Sequence, residues 1–572
     1  MSTHHAQPDV IVIGLGFAGA TAAYAMTKAG MKVLAFEAGP ERSKEEYRLD
    51  ELSESVFQRA RLGPKFNQEL QTWRTAEGQP TRPAIYSLGK MNNGVGGTVV
   101  YSAWLRRYMP GDFKIRTNTI ERYGEQAIPK GSSMVDWPIS YDDLEPYYTE
   151  VEEITGVSGI AGNIQGKPVK GGNPFEGYRS KDYPMPPLRT AGLSDTFGKA
   201  CTELGYHPYP VPAGINSIPH DGRPACTYCG YNAFFGCHID AKSTADLTFV
   251  KRARATGNLE IRTNTRVLRI TTDAKGRASG VDYLDETGTL QHQDAPIVVL
   301  TAYTFENVRL LLLSATDKSP KGLANRNGQV GKYFTPKQLP RTLGILPGHT
   351  VNRFTGPSAQ GMLIDDFLSD NFDHTGLGFI RGASLGVIQQ SQPISVAKDT
   401  LPPDVPRWGQ GYKDHLLKNW NSYFAIEAQP EGLMYDANFL DLDPVVRDRS
   451  GLGLPVIRIT FQQYENELKI IRFVRERSKE LLRQMGVEKI WTGPELTGVG
   501  SSHDLGGLRM GTDEARSVVN ADLMAHEVPN LYVMSGAVFP SVPGINPTLT
   551  IQAVSLRAAE RLANEWQRGR GL

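Results

Sequence analysis

The stretch from Asp9 to Glu37 constrains the fold of this chain more than any other. Val10–Ile13 is a short, continuously apolar run, as expected of a strand buried on both faces. It is followed by Gly14-Leu15-Gly16-Phe17-Ala18-Gly19, then by a helix-favouring stretch, and then by a second apolar run, Val33–Phe36. A strand, a glycine-rich turn, a helix and a second strand in this order predict a nucleotide-binding unit of a doubly wound sheet.

Each part of this stretch has a role in holding a dinucleotide. Gly14 permits the tight turn, Gly16 lets the backbone approach a pyrophosphate, and Gly19 lets helix and strand pack closely. The helix N-terminus presents free N–H groups and a partial positive charge to phosphates. Glu37 can accept hydrogen bonds from ribose hydroxyls, and its charge disfavours a 2′-phosphate. The sequence therefore predicts FAD or NAD rather than NADP; the alternative is a plain glycine turn.

The length, net charge and cysteine count of the chain limit the class of protein. Its 572 residues exceed one ordinary core, so two or more domains are expected. A net charge of +1 argues against nucleic-acid or anionic-membrane partners, and four cysteines make no disulfide framework. The sequence has no run of about 18 apolar residues, so no transmembrane helix is expected. Without a secretion-signal pattern the default location is cytoplasmic, or periplasmic if a partner subunit carries the chain there.

Short apolar strands return to the nucleotide-binding domain late in the chain. Leu259 to Ile270 alternates apolar and polar residues, which predicts one strand. The runs Ile297–Leu300 and Leu531–Met534 predict two more buried strands. A closing helix is predicted from Pro547 to Leu562, with the proline in its first turn.

The middle of the chain has a different pattern, which predicts a second domain. Between residues 335 and 460 long loops separate three strand-like runs: Arg341–Leu346, Gly376–Ile380 and Tyr423–Ala428. The clearest helix, Tyr464–Met485, has one apolar face and a glycine stop. Earlier in the chain, Ser140 is predicted to cap a helix, with Asp143 as its capping-box partner.

Two motifs flank the last predicted strand. Ser502-His503-Asp504-Leu505-Gly506-Gly507-Leu508-Arg509-Met510-Gly511 precedes it, and Gly544-Ile545-Asn546-Pro547-Thr548-Leu549-Thr550 follows it. With the N-terminal glycines, Val95-Gly96-Gly97-Thr98 and Gly331-Lys332-Tyr333-Phe334, these segments resemble the glucose-methanol-choline oxidoreductase family of flavoenzymes, over nearly the whole chain. The middle looks most like the gluconate 2-dehydrogenase subgroup, with pyranose oxidases as nearby relatives. The resemblance implies FAD, a two-domain fold and oxidation of a CH–OH carbon.

The expected fold class is therefore α/β (α+β overall). A Rossmann-like FAD-binding domain is joined to a second substrate domain built on a mostly antiparallel sheet. We predict a discontinuous FAD-binding domain from residues 1–110, 220–334 and 495–572. Residues 111–219 and 335–494 are predicted to form the substrate-binding domain.

The resemblance places His503 and Asn546 at the reactive N5 atom of the flavin. Alcohol oxidation removes a hydroxyl proton and a carbon-bound hydride. A neutral imidazole can take the proton, since an ordinary imidazole pKa of about 6.5 suits neutral pH. A carboxamide can orient the hydroxyl and steady the developing alkoxide, while flavin N5 accepts the hydride. The alternative is that His503 only closes a loop and that Asn546 caps the last helix.

The resemblance also implies a set of residues that contact FAD: Gly14, Gly16, Gly19, Glu37, Gly96, Gly97, Val267, Gly536 and Ala537. Some relatives bind FAD covalently through a His shortly after the Gly-Gly pair. This chain has Tyr101 there, which lacks a nucleophilic ring nitrogen, so non-covalent FAD is predicted. A second departure is Ala302-Tyr303-Thr304-Phe305, near the expected adenine end, where many members have small residues.

Cys226, Cys229 and Cys237 lie close together in the sequence. Many relatives have four cysteines in a ferredoxin-like spacing, but Asn232 stands where another would be expected. Three thiolates can hold a three-iron cluster, or zinc with a fourth ligand such as His238. Free or structural thiols are favoured over either site, so no metal is predicted and an iron–sulfur cluster is the alternative.

These residues and the resemblance predict an FAD-dependent enzyme that oxidises a secondary alcohol of a sugar, sugar acid or glycoside to a ketone. Dioxygen or an electron carrier would reoxidise the flavin, and the chain would act alone, as a homo-oligomer or with a small subunit. One alternative is the large flavin subunit of a membrane-linked gluconate-type dehydrogenase complex. Alternatives of another class are a non-oxidative lyase or photodecarboxylase, against which the His–Asn pair argues, and a non-catalytic FAD-binding protein.

Overall fold

A computed structural model gives the fold of the chain. It describes residues 7–47, 49–52, 71–84, 94–97, 101–233, 235–346, 348–388, 392–399, 401–493, 498–499 and 503–569. The start of the glycine-rich loop before Gly94, together with Thr98 and Ser502, lies outside the described residues.

A parallel sheet forms the centre of the first domain. Its strand order is Leu531–Val533, Val298–Leu300, Val10–Ile13, Val33–Phe36 and Leu259–Arg262. All four residues of Val10–Ile13 are buried, so the predicted two-sided burial is confirmed. The helices Phe17–Lys28 and Thr548–Gln567 pack together beside this sheet. The N-terminal unit and the C-terminal segment therefore share one core.

The strand predicted over Leu259–Ile270 is wrong as a single element. Leu259–Arg262 ends at the edge of the parallel sheet, and Arg266–Thr272 starts an antiparallel sheet with Ala278–Leu284 and Leu290–Asp294. Asn264 has a positive φ of 52° in the turn between them. Apolar–polar alternation continues through such a turn, so the pattern alone does not reveal it.

The second sheet is antiparallel, as predicted. Its order is Lys489–Thr492, Arg341–Ile345, Tyr423–Pro430, Ala383–Ile388, Met362–Ile364 and Tyr209–Pro210. The helices Glu465–Gln484 and Gly192–Glu203 pack against it. The predicted strand Gly376–Ile380 is wrong: both of its glycines have positive φ and the Leu377 N–H donates to the His374 carbonyl. Glycine turns of this kind interrupt an extended strand.

Smaller elements connect the two sheets. A further sheet has the order Phe439–Arg447, Pro455–Thr460, Thr72–Arg74 and Arg82–Pro83, and two short pairs join Thr335–Pro336 to Asp504–Leu505 and Asn163–Ile164 to Lys167–Pro168. The remaining α-helices are Ile115–Tyr123, Tyr141–Thr155, Lys251–Ala255 (after a π-helical turn, Asp246–Val250), Thr304–Leu313, Pro393–Asp399 and Gln410–Asn419. Short 3-10 turns are Lys44–Glu46, Pro110–Phe113, Glu125–Ala127, Ser358–Gln360 and Gly536–Val538. No helix within the described ranges is long and apolar enough to cross a membrane.

The predicted helix cap at Ser140 is confirmed. The Asp143 N–H donates to Ser140 Oγ at 3.1 Å, and the Ser140 N–H donates to Asp143 Oδ2 at 2.8 Å. These two bonds start the helix Tyr141–Thr155, which packs on the closing helix through a hydrogen bond between Tyr148 and Thr550. The cap thus fixes the start of the helix that packs against the closing helix.

Candidate active site

A cavity of about 240 Å³ lies at the carboxyl edge of the parallel sheet. It is lined where the strands end, by residues such as Gly14, Glu37 and Thr301, and also by His503 and Pro547. In open α/β sheets ligands bind outside the carboxyl ends of the strands. The cavity therefore joins the N-terminal glycine unit to both C-terminal motifs.

The three N-terminal glycines differ in their backbone conformation and in the space that is available for a side chain. Gly14 has a φ of 92°, and a Cβ there would lie 2.9 Å from the Ala302 Cα. A Cβ on Gly19 would lie 2.0 Å from the Gly14 carbonyl oxygen, so this glycine allows the helix to pack on the strand. Gly16 has a φ of −76°, and a Cβ there would meet the Gly97 Cα at an ordinary 3.9 Å. The space beside Gly16 is therefore part of the cavity.

The helix that begins at Phe17 fits a phosphate group. Its N-cap, Gly16, offers no side-chain acceptor to the first N–H groups, and its first turn has no acidic residue. The partial positive charge of the helix end is therefore directed at the cavity. Gly97 also lines the cavity, directly beside Gly16. Its φ is 74°, and a Cβ there would lie 2.7 Å from the Gly16 Cα. Gly96 lies behind it, and its N–H donates to the Leu15 carbonyl at 2.8 Å.

Glu37 is buried in the cavity wall. The N–H of Leu15 donates to Oε2 at 2.9 Å, and the N–H of Gly39 donates to Oε1 at 2.8 Å. Burial raises the pKa of the Glu37 carboxyl to about 7, although the two N–H groups oppose that rise. Each carboxylate oxygen has a second lone pair, so Glu37 can also accept hydrogen bonds from a ribose.

The remaining predicted contacts lie on different parts of the wall. Val267 and Gly536 line the cavity. Ala537 is fully buried behind it, with its N–H donated to Ser535 Oγ at 3.1 Å. The wall also contains residues that no motif marked as contacts. Thr265, Thr301 and Ser535 follow strand ends, whereas Arg266 begins a strand, Asp504 lies within the first C-terminal motif and Ile551 lies in the closing helix.

Of the two predicted catalytic residues, His503 lines the cavity, whereas Asn546 directly precedes the lining residue Pro547. His503 precedes the short strand Asp504–Leu505. Asn546 is 9% exposed, and the described residues offer its Oδ1 no hydrogen-bond partner. The closing helix has Pro547 as its N-cap, without a side-chain cap. Asn546 therefore presents a buried acceptor that the helix does not use.

A buried lysine joins these two segments. The Lys337 N–H donates to the His503 carbonyl at 2.9 Å, and Lys337 Nζ donates to the Ile545 carbonyl at 2.6 Å. Lys337 follows the Gly331–Phe334 motif after one short strand, Thr335–Pro336, and could have been found by its nearness to that motif. The structure thereby brings segments of two motifs, 43 residues apart (546 − 503), to one cavity.

Two aromatic positions that depart from the family pattern are engaged by the protein. Tyr303 also lines the cavity, and its hydroxyl donates to the Asp504 carboxylate, next to His503. The Tyr101 hydroxyl donates to the Ser243 carbonyl, and its ring packs edge-on against Phe17 at 4.9 Å. Tyr303 is therefore placed beside the first C-terminal motif.

The cysteine cluster consists of free thiols. Cys226 Sγ accepts the Tyr228 N–H at 3.4 Å, and Cys237 Sγ accepts the Lys242 N–H at 3.5 Å. Burial raises the pKa of the Cys226 thiol to about 11. Across the residues that the structure describes, no group of three or more His, Cys, Asp or Glu side chains is arranged to hold a metal ion.

Comparison with known proteins gives consistent matches. The family model for GMC oxidoreductases matches residues 135–337 with its N-terminal part and 436–555 with its C-terminal part, and a model described as an FAD binding domain matches residues 9–46. The gluconate 2-dehydrogenase flavoprotein of Pantoea cypripedii is 31% identical over 98% of this chain and 94% of its own. The fructose dehydrogenase large subunit of Gluconobacter japonicus is 29% identical over the full length of both. The crystal structure of pyridoxine 4-oxidase from "Mesorbium loti" has the same fold, with a TM-score of 0.63, 16% identity and coverage of 98% and 99%.

Proposed function

The chain belongs to the GMC oxidoreductase family, and from that premise we propose that it oxidises a secondary CH–OH group of a sugar, sugar acid or glycoside to a ketone. The family predicted from the motifs is thereby confirmed, as is the FAD-binding fold. Relatives named for gluconate and fructose support a polyhydroxylated substrate. The observation that carries the proposal is the single cavity that Gly16, Glu37, His503 and Pro547 share.

The residues present fit FAD. The open space at Gly16, the uncapped helix end and the acceptors of Glu37 suit a pyrophosphate and a ribose. When bound, the flavin supplies the hydride acceptor. Tyr101 supports non-covalent attachment, because its hydroxyl is occupied by Ser243 and it has no ring nitrogen. Denaturation is expected to release all of the yellow colour into a protein-free filtrate, and colour retained on the chain would contradict this attachment.

The chain's own residues account for the proton and for the orientation of the substrate. A neutral imidazole of His503 accepts the hydroxyl proton as the carbon–hydrogen bond breaks. The Asn546 carboxamide directly precedes Pro547 of the cavity wall, and its N–H groups can donate to the oxygen of the same hydroxyl. Its N–H donors then stabilise negative charge that develops on the oxygen. Burial of the segment keeps water from competing for these bonds.

A second candidate is the flavin-bearing subunit of a gluconate-type dehydrogenase complex. The 31% identity to a gluconate 2-dehydrogenase flavoprotein and the match to a fructose dehydrogenase large subunit favour it. In this form the electrons would leave through a partner protein. A self-contained oxidase would instead pass them to dioxygen.

An anaerobic substrate panel tests the proposal. The yellow protein is mixed with aldoses, ketoses, aldonates and glycosides, and loss of the flavin absorbance is followed. One ketone per bleached flavin is expected, which excludes a lyase and a binding-only protein. Admission of oxygen then separates an oxidase, with rapid return of colour, from a dehydrogenase that needs an added quinone. A flavin that no alcohol bleaches would contradict the proposal.

FAD binding is expected to tighten as pH rises through about 7. Burial raises the pKa of Glu37 from its ordinary value of 4.5 to about 7. The contribution of this group to the free energy of unfolding of the free protein is therefore complete below pH 4.5 and is lost as the pH rises through about 7. Hydrogen bonds from a ribose favour the ionised carboxylate, so binding lowers this pKa. The Kd for FAD should therefore fall about tenfold from pH 6 to pH 8.

The control for this titration is Glu37→Gln, which keeps the shape and one of the two acceptor oxygens but does not ionise. Isothermal titration of FAD into both apoproteins across the same pH range measures the difference. The variant should give a nearly flat profile, because it lacks the carboxyl group to which the pH dependence is assigned. A pH dependence that survives in the variant would assign the effect to another residue.

A further inference from the structure

Lys337 links the backbones of the two segments that carry His503 and Asn546. It is 1% exposed, its N–H donates to the His503 carbonyl at 2.9 Å and its Nζ donates to the Ile545 carbonyl at 2.6 Å. The Ile545 carbonyl belongs to the same planar peptide unit as the nitrogen of Asn546. Lys337 thus binds both the carbonyl of His503 and the carbonyl of the peptide bond that joins Ile545 to Asn546.

The side-chain bond matters because the second segment has few other anchors. Residues 543–546 are buried, and in the described part of the chain their main chain makes no backbone–backbone hydrogen bond. Pro543 has no N–H to donate. A Cβ on Gly544 would lie 2.2 Å from Leu368, so the segment is also closely packed. Lys337 Nζ therefore supplies a polar tether that the backbone itself lacks.

The two bonds of Lys337 have different origins. The bond to His503 uses the lysine's backbone N–H and continues the pairing of Thr335–Pro336 with Asp504–Leu505, so any residue except proline would keep it. The bond to Ile545 needs the long side chain and its N–H donor. Burial and then the nearby charge of Arg106 lower the pKa of Lys337 to about 7. Both the ammonium and the amine carry N–H donors, so the bond exists in either form.

We propose that Lys337 is a positioning residue that sets Asn546 against His503 for the reaction. This inference rests on the proposed function, because it acts through the two residues assigned there. It predicts that loss of the side-chain donor impairs the reacting geometry more than the binding of substrate.

Lys337→Met tests the inference, since methionine keeps most of the length and removes the donor. Anaerobic stopped-flow reduction of the FAD-loaded protein separates the limiting reduction rate from the apparent substrate Kd. The limiting rate should fall about tenfold while the Kd stays within about threefold, as expected when transition-state alignment is lost. Lys337→Arg keeps a buried N–H donor and should recover most of the rate.

Lys242→Met is the matched control. Lys242 is also 1% exposed, its pKa is also lowered to about 7 by burial, and its Nζ also donates to backbone carbonyls, at 2.9 Å to Asn232, 2.7 Å to Phe235 and 3.1 Å to Tyr101. These bonds hold the cysteine-containing loop and the main chain at Tyr101 rather than Ile545. The control should lower Tm without slowing flavin reduction in the FAD-loaded fraction.

The outcomes separate this inference from the proposed function. If Lys337→Met reduces its flavin at the wild-type rate while His503→Ala is slow, the inference fails and the proposed function stands. If Lys337→Met yields no FAD-loaded protein, Lys337→Arg decides: a rate near wild type supports the inference, and a rate tenfold lower or worse overturns it. Equal slowing in the Lys242→Met control would also overturn it, because the effect would then follow from general destabilisation.

Discussion

Replacing His503 with alanine is expected to leave a folded yellow protein and to slow flavin reduction about 10²–10⁴-fold. The imidazole lines the cavity, whereas its segment is held by backbone pairing to Thr335–Pro336 and by the Lys337 N–H, which the substitution retains. Alanine removes the proton acceptor without removing those bonds. The measurement is anaerobic stopped-flow reduction with the substrate that the panel identifies.

His207→Ala is the control for this loss. His207 is exposed, and its Nδ1 contacts the Asp366 carboxylate at 2.7 Å, away from the cavity wall. The flavin of the His207→Ala variant should be reduced at the rate of the wild-type protein. Near-normal reduction in His503→Ala, with FAD content unchanged, would remove the assigned base and with it the proposed mechanism.

Replacing Gly16 with valine is expected to weaken FAD binding about a hundredfold while the apoprotein still folds. The φ of Gly16 suits any L residue, and a Cβ there meets protein only at 3.9 Å from the Gly97 Cα. The added side chain would instead occupy the space where a pyrophosphate meets the helix end. Overpacking of this kind costs about 3 kcal/mol at its upper range, which is about a hundredfold in Kd.

FAD titration of the apoprotein, with thermal unfolding of the same sample, separates affinity from folding. Gly192→Val is the matched control, because a Cβ on Gly192 meets no atom within 4 Å and the residue lies away from the cavity wall. Gly97→Val should behave differently and destabilise the fold, since its φ is 74° and its Cβ would lie 2.7 Å from the Gly16 Cα. Unchanged FAD affinity in Gly16→Val would place the pyrophosphate elsewhere.

Local patterns predicted much of the fold correctly. The burial of Val10–Ile13, the capping box at Ser140, the helix over Glu465–Gln484 and the antiparallel second sheet are all confirmed. Each leaves a signal within a few residues, such as an N–H donating to a side chain three positions away, a helical period or a short apolar run, so a local pattern is enough to predict it. The domain boundaries stay a prediction: Thr72–Arg74, placed in the first domain, pairs with Pro455–Thr460 of the second.

The errors have a common cause. Alternation over Leu259–Ile270 is real, yet it spans two strands that belong to different sheets. Which sheet a strand joins depends on partners far along the chain, and no local pattern contains that choice. The same limit applied to Gly376–Ile380, where the glycines adopt a turn.

The sequence by itself determined the nucleotide-binding unit, because its glycines, helix and acidic residue act over a span of fewer than thirty positions. Only the tertiary structure decided that His503 and the segment before Asn546 meet, through a buried lysine that belongs to neither motif. Convergence of distant segments depends on how the parallel sheet and the closing helix pack. A hydrogen bond from Lys337 Nζ to Ile545 spans 208 positions (545 − 337) and has no local signature in the chain.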